Sequence, residues 1–126
     1  MTEQTPTSST TRGGGAVFFG VHNGFGGDIR RRSVVLVAGD LDLSTCEHVR
    51  SRIFAAMDGP CGDLVVDLSD VRFIDARGLG MLVEADLRAK ATGHRLVLWQ
   101  PSPLVCRVLS LGGLGDHFEI QFLDGD

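Results

Sequence analysis

Apolar and polar positions along the chain alternate between two rhythms. Ala16 to Val21, with Phe18 and Phe19, reads as a first strand, and Ser33 to Ala38 (SVVLVA) as a second. Between them His22 to Asp28 (HNGFGGD) is turn material, and Asn23-Gly24 is a hairpin signal, so these strands are expected to pair antiparallel. Leu64, Val65 and Val66, continuing to Asp67, form an apolar run without alternation, as in a strand buried on both faces. Arg95 to Trp99 (RLVLW) is a fourth strand and Phe118 to Ile120 a short last one, with Phe122 behind it. Elsewhere the period is helical. Thr45 to Met57 puts Cys46, Val49, Ile53 and Phe54 on one face. From Arg77 to Thr92 the stripe is Leu79, Leu82 or Val83, Leu87 and Ala91.

Local signals punctuate these segments. Ser44 and Glu47 have capping-box spacing, and Asp58-Gly59-Pro60 ends the first helix. Gly93 closes the second, with Lys90 and His94 suiting its dipole. Ser102-Pro103 opens a third helix that runs to Leu111 and stops at Gly112-Gly113. The expected fold is α/β: an N-terminal β-hairpin, then β-α-β-α-β-α-β, giving a mixed sheet covered by helices. Right-handed crossovers would set the central strands parallel. Gly39 to Ser44, Ser69 to Gly78 and Trp99 to Ser102 would then meet on one rim, where ligands and partners commonly dock.

Composition narrows the function. The 126 residues are 43% apolar and suit one domain, over 16–122. The Thr-, Ser- and Gly-rich residues 1–15 read as a disordered tail, and Leu123 to Asp126 as a frayed end. No apolar run reaches the roughly 20 residues a membrane span needs. The start MTEQTPTSST lacks the basic and apolar segments of a signal peptide, so a cytoplasmic protein without membrane contact is expected. A net charge of −4 argues against nucleic acid, and Arg30-Arg31-Arg32 reads as a solvated turn or strand start. Cys46, Cys61 and Cys106 are too widely spaced for a metal site; the first and last suit a core, and Cys61 an exposed turn. His22, His48, His94 and His117 lack partners at ligand spacing, and neither GxSxG nor a phosphate loop occurs. No catalysis, cofactor or metal is therefore expected. Asp40, Asp42 and Asp75 could converge on the rim around a divalent cation. The plainer alternative is that Asp42 and Asp75 accept backbone N–H groups and fix their helix starts.

One stretch is more specific. Asp67 to Ala85, DLSDVRFIDARGLGMLVEA, closely resembles the central motif of the STAS-domain family in its bacterial anti-sigma-factor-antagonist branch. Gly39-Asp40-Leu41-Asp42, Trp99-Gln100-Pro101-Ser102-Pro103 and Leu109 to Ile120 resemble that family's other motifs, in order, across Ala16 to Ile120. The resemblance implies a small α/β regulatory domain that binds an anti-sigma factor with a GHKL-type ATP-binding kinase fold, or another STAS-pathway regulator. It also implies a phosphoacceptor serine directly after the motif aspartate. That position here is Ala76, followed by Arg77, so the usual phosphosite has no hydroxyl. Ser44 as a cap and Ser69 as a turn residue are poor substitutes.

The expected partner-binding face comprises Asp40, Asp42, Ser44, Asp75, Ala76, Arg77, Leu79 and Met81, with Met81 as an outward apolar anchor and Glu84 and Arg88 as a polar border. The alternative is a subunit of a multi-protein STAS assembly, or a degenerate domain binding a small ligand or itself. Exposure of Phe18, Phe19 and Phe25 on the hairpin would favour a weak homodimer.

Overall fold

A computed structural model describes residues 7–10, 16–23, 31–58 and 62–123, with side chains from Ser33 onward. The elements are β1 (Thr7–Thr10), β2 (Ala16–Asn23), β3 (Arg31–Leu41), α1 (Leu43–Met57), β4 (Asp63–Ile74), α2 (Ala76–Ala91), β5 (Arg95–Trp99), α3 (Pro103–Leu111) and β6 (Glu119–Gln121). They form one sheet whose strand order follows the chain order. β1 to β3 pair antiparallel, and β3 to β6 are all parallel. The expected hairpin and the parallel centre are both present.

Because each parallel strand lies beside its predecessor, right-handed crossovers carry all three helices to the same side of the sheet. β3 shows the result in its burial. Val35, Val37 and Leu41 are buried under the helices, while Val34, Leu36 and Ala38 between them are half-buried. The buried stripes of α1, α2 and α3 and the matching residues of β4 and β5 join one core. α3 begins as expected: Ser102 Oγ accepts from Val105 N at 3.4 Å with Pro103 in the first turn.

Several expectations are corrected. β4 does not end at Asp67; it continues to Ile74 and pairs with β3 as far as Leu41 opposite Ile74. The polar step Ser69-Asp70 is absorbed where the register slips between Leu36 and Ala38, a bulge that lets pairing resume with Val71 buried. Most of the expected Ser69–Gly78 loop is therefore strand.

α1 begins at Leu43, and its cap is Asp42 rather than Ser44. In α2 the buried residues are Gly78, Met81, Leu82, Ala85, Asp86 and Ala89. Leu87 and Ala91 point outward, and Leu79 and Val83 are half-buried. The helix is apolar on two sides, and its small residues face the sheet because they allow close packing. Within the stretch read as a tail, Thr7–Thr10 pairs with Ala16–Phe19 as an edge strand, helped by β-favouring threonines. The turn 24–30 with Phe25, Cys61 and the side chains of Phe18 and Phe19 lie outside the described residues, so the hairpin-dimer expectation does too.

Candidate functional site

The rim is set by two adjacent helix starts. At the end of β4 the chain turns within one residue, Asp75, whose extended backbone makes it the cap of α2. Its Oδ1 accepts from Arg77 N at 3.0 Å and Gly78 N at 3.1 Å, satisfying two of the donors a helix start leaves free. Asp75 N donates to Leu41 O at 3.3 Å, tying this start to the end of β3. Gly78 makes so close an approach possible. A Cβ there would lie 2.5 Å from Leu41 O and 2.9 Å from Leu41 Cγ. The glycine after Arg77 is a steric requirement of two elements meeting.

The neighbouring start of α1 uses the same device. Asp42 Oδ1 accepts from Ser44 N at 3.0 Å, Ser44 Oγ at 2.8 Å and Thr45 N at 3.3 Å. Thr45 Oγ1 accepts from Asp42 N at 3.1 Å, completing a reciprocal box, and donates to Asp40 O at 2.7 Å. The Ser44 hydroxyl, followed by the backbone donors, holds the Asp42 carboxyl below its ordinary range. Cys46 Sγ donates to Arg77 O at 3.6 Å and joins the two starts; burial pushes its thiol up. Asp42 and Asp75 thus spend oxygen on their own helices, the plainer of the two alternatives. No group of three or more potential metal ligands occurs among the described residues.

This frame presents part of the expected face. Ser44, Ala76 and Arg77 are exposed, while Asp40, Asp42 and Asp75 are half-buried on the same rim. Arg77 makes no ion pair among the described residues, Asp40, Asp42 and Asp75 included. Leu79 is half-buried and leans on Gly112 at the end of α3. Met81 is corrected: it is 4% exposed, inside the core, and cannot anchor a partner. It lies one turn from Gly78 and Ala85 on the sheet-facing side, which the stripe drawn through Leu79 and Leu87 obscures.

Two apolar side chains missed by the sequence reading are exposed at this end, Leu43 at 64% and Phe73 at 46%. Leu43 falls outside the Cys46–Val49–Ile53 stripe, and Phe73 alternates out of phase with buried Ile74. Those were the available signals. The spare hydroxyls are engaged: Ser44 Oγ on Asp42, and Ser69 Oγ on Asp67 Oδ1 at 2.7 Å.

The architecture is a mixed sheet with helices on one face, and its rim is closed by this pair of capped starts. The family model described as "Mlab, STAS domain" matches residues 28–123. The chain is 30% identical over 100 residues to the anti-sigma F factor antagonist of Lysinibacillus sphaericus, covering 75% of this chain and 86% of that protein. Among solved structures, the anti-sigma factor antagonist SpoIIAA in its unphosphorylated form aligns with a TM-score of 0.63 at 26% identity, over 73% of this chain and 79% of that one. The phosphorylated form of SpoIIAA from Bacillus aligns with a TM-score of 0.59 at 25% identity, over 73% and 82%. The chain belongs to the STAS-domain family, in its anti-sigma-factor-antagonist branch. It is a non-catalytic regulatory module. No helix among the described residues is long and apolar enough to cross a membrane.

Proposed function

We propose that this chain binds an anti-sigma factor with a GHKL-type ATP-binding fold, or another regulator of a STAS pathway, through the rim of Asp40, Asp42, Ser44, Asp75, Ala76, Arg77 and the exposed part of Leu79. The observation that carries this is the exposure of Ala76 and Arg77 at the first turn of α2, on a backbone where Asp75 holds the Arg77 and Gly78 donors. Such a turn is fixed by its own chain and presents its side chains outward. Leu43 and Phe73 add apolar area of the kind that anchors interfaces.

SpoIIAA occurs in phosphorylated and unphosphorylated forms. A phosphate brings a charge near −2 and opens a fitted interface by repulsion and desolvation. Ala76 offers no oxygen for that transfer, so binding here is constitutive with respect to this position, and Arg77 contributes a fixed positive charge instead. The test is capture and calorimetry against a panel of GHKL-type anti-sigma factors. Binding is expected for the wild type and is weakened by Arg77→Glu and by Asp75→Ala. Incubation with the bound partner and ATP is expected to leave the intact mass unchanged. Affinity unaltered in both variants, or a phosphoryl group mapped to Ser44, Thr45 or Ser69, would remove the rim or the constitutive state from consideration.

A further inference from the structure

We propose that the outward face of α2 is a docking strip for an acidic amphipathic helix of a protein partner. The inference rests on the chain being a protein-binding module and extends the contact from the rim along the helix. Ala76, Gly80, Val83 and Leu87 are spaced four, three and four apart and share one face. Ala76, Gly80 and Leu87 are exposed, Leu87 at 55%, and Val83 is half-buried. A solvent-facing helix surface ordinarily carries charge; these four positions, over about 16 Å of helix, carry none, and the exposed charges Arg77, Glu84 and Arg88 stand along their border. A Cβ on Gly80 would meet nothing within 4 Å, so a partner side chain can reach the backbone there.

The flank toward α1 gives the strip its charge preference. Phe54 lies between two guanidiniums, Arg50 at 4.4 Å and Arg88 at 4.6 Å from its ring centroid. Arg50 is committed to Glu84, with contacts of 2.8 and 3.1 Å, and feels Glu47 on its own helix. Arg88 lies in the field of Glu84, which Arg50 already engages. Arg77 and Arg88 make no ion pair among the described residues. On the opposite flank Lys90 is occupied by Asp86 at 2.9 Å. Arg77 and Arg88, which no ion pair among the described residues engages, therefore border an uncharged strip, in a chain whose overall charge is −4. The complement is a helix with apolar residues at i, i+3, i+4 and i+7 and carboxylates along one edge. A second copy of this chain would bring the same guanidiniums toward each other, which disfavours it as the occupant.

Fluorescence anisotropy with two labelled helical peptides tests this against the full chain. Both carry the same leucine spacing; one is flanked by Glu and the other by Lys. The Glu peptide is expected to bind at least about tenfold more tightly, with affinity falling as salt rises. Leu87→Asp and Arg88→Glu are each expected to weaken it about tenfold, with the far-UV circular dichroism unchanged. Leu87→Ala provides a milder variant at the same exposed position. Equal binding of the two peptides, absence of binding, or indifference to both substitutions would overturn the strip. So would self-association lost in Leu87→Asp, which would make a second copy the occupant. An anti-sigma factor held equally well by wild type, Leu87→Asp and Arg88→Glu, yet weakened by Arg77→Glu, would remove the strip and leave the rim in place.

Discussion

The two ends of the parallel sheet solve the problem of acidic side chains in opposite ways. At the rim, Asp42 and Asp75 turn back on their own helix starts and accept backbone N–H groups. At the far end, where β4, β5 and β6 begin, buried carboxylates meet charged side chains, most of them brought from other elements. Asp63 is 4% exposed and meets Arg95 Nη1 at 3.4 Å, while Asp86, 3% exposed, lies 2.9 Å from Lys90 Nζ and 3.1 Å from His117 Nε2. Arg95 also grips Glu119 through both of its oxygens, with Nε 2.9 Å from Oε1. One end is a clamp in which Arg95 joins β4, β5 and β6 while Asp86 ties α2 to His117 in the turn before β6. The other completes its local bonds and leaves Ala76 and Arg77 uncommitted. Burial of paired charge builds structure, whereas local capping frees a surface for contact.

The sharpest break in that comparison comes from a rim residue that is not free. Gly78→Ala drives a methyl group against the carbonyl of Leu41, and backbone cannot move aside as a side chain can. A loss of about 3 kcal/mol is expected, at the upper end of overpacking costs, read by urea denaturation. Gly80→Ala, two residues on, meets open space and is expected to gain up to about 1 kcal/mol from helix propensity. Equal effects at the two glycines would show that α2 does not approach β3 as described.

At the clamp, Asp86→Ala removes a buried carboxylate from His117 and Lys90. Lys90 is exposed and resolvates, which limits the loss to about 2 kcal/mol. Asp75→Ala, at the rim, removes a half-exposed cap and is expected to cost about 1 kcal/mol. Reversal of that order, measured by the same denaturation curves, would contradict the division of roles between the two ends.

Acid should weaken the Arg95–Glu119 pair of the clamp and the Arg50–Glu84 pair between α1 and α2 in one window. Arg95 holds the Glu119 carboxyl, and Arg50 the Glu84 carboxyl, below the ordinary value of 4.5. A carboxyl with a lowered folded pKa binds protons less readily than in the unfolded chain. It therefore contributes stability above pH 4.5, lost as pH falls through the folded value. Both pairs are substantially solvent-exposed, so screening keeps the contribution of each small. Thermal melts at falling pH should show a smaller acid decrement in Glu119→Gln than in wild type.

The period of the sequence made the hairpin, the parallel strands and the Ser102-Pro103 helix start legible, because those signals are local. Three features were hidden for physical reasons. β4 slips register at Leu68-Ser69 and again at Arg72, which interrupts alternation and makes one strand look like a strand and a loop. Asp42, Ser44 and Thr45 are all good caps within one turn, and only geometry selects Asp42. In α2 close packing favours Gly78, Ala85 and Ala89 on the inside, while Leu87, the larger residue, remains outside. The same ambiguity turned Met81 from an expected anchor into core. Asp86 was not legible as a buried charge, since one of its partners, His117, is brought to it only by the fold.

The smallest expected change to the fold is Ala76→Ser. The side chain is exposed at the first position of α2, and surface substitutions of this kind alter stability by less than about 0.5 kcal/mol. Its effect on the proposed binding would be far larger. The introduced hydroxyl would stand beside Asp75 at a helix start that favours added negative charge, with Arg77 unpaired next to it. Incubated with a GHKL-type partner kinase and ATP, the variant is expected to gain one phosphoryl group on that hydroxyl by intact mass and peptide mapping, and to lose the partner as it does so.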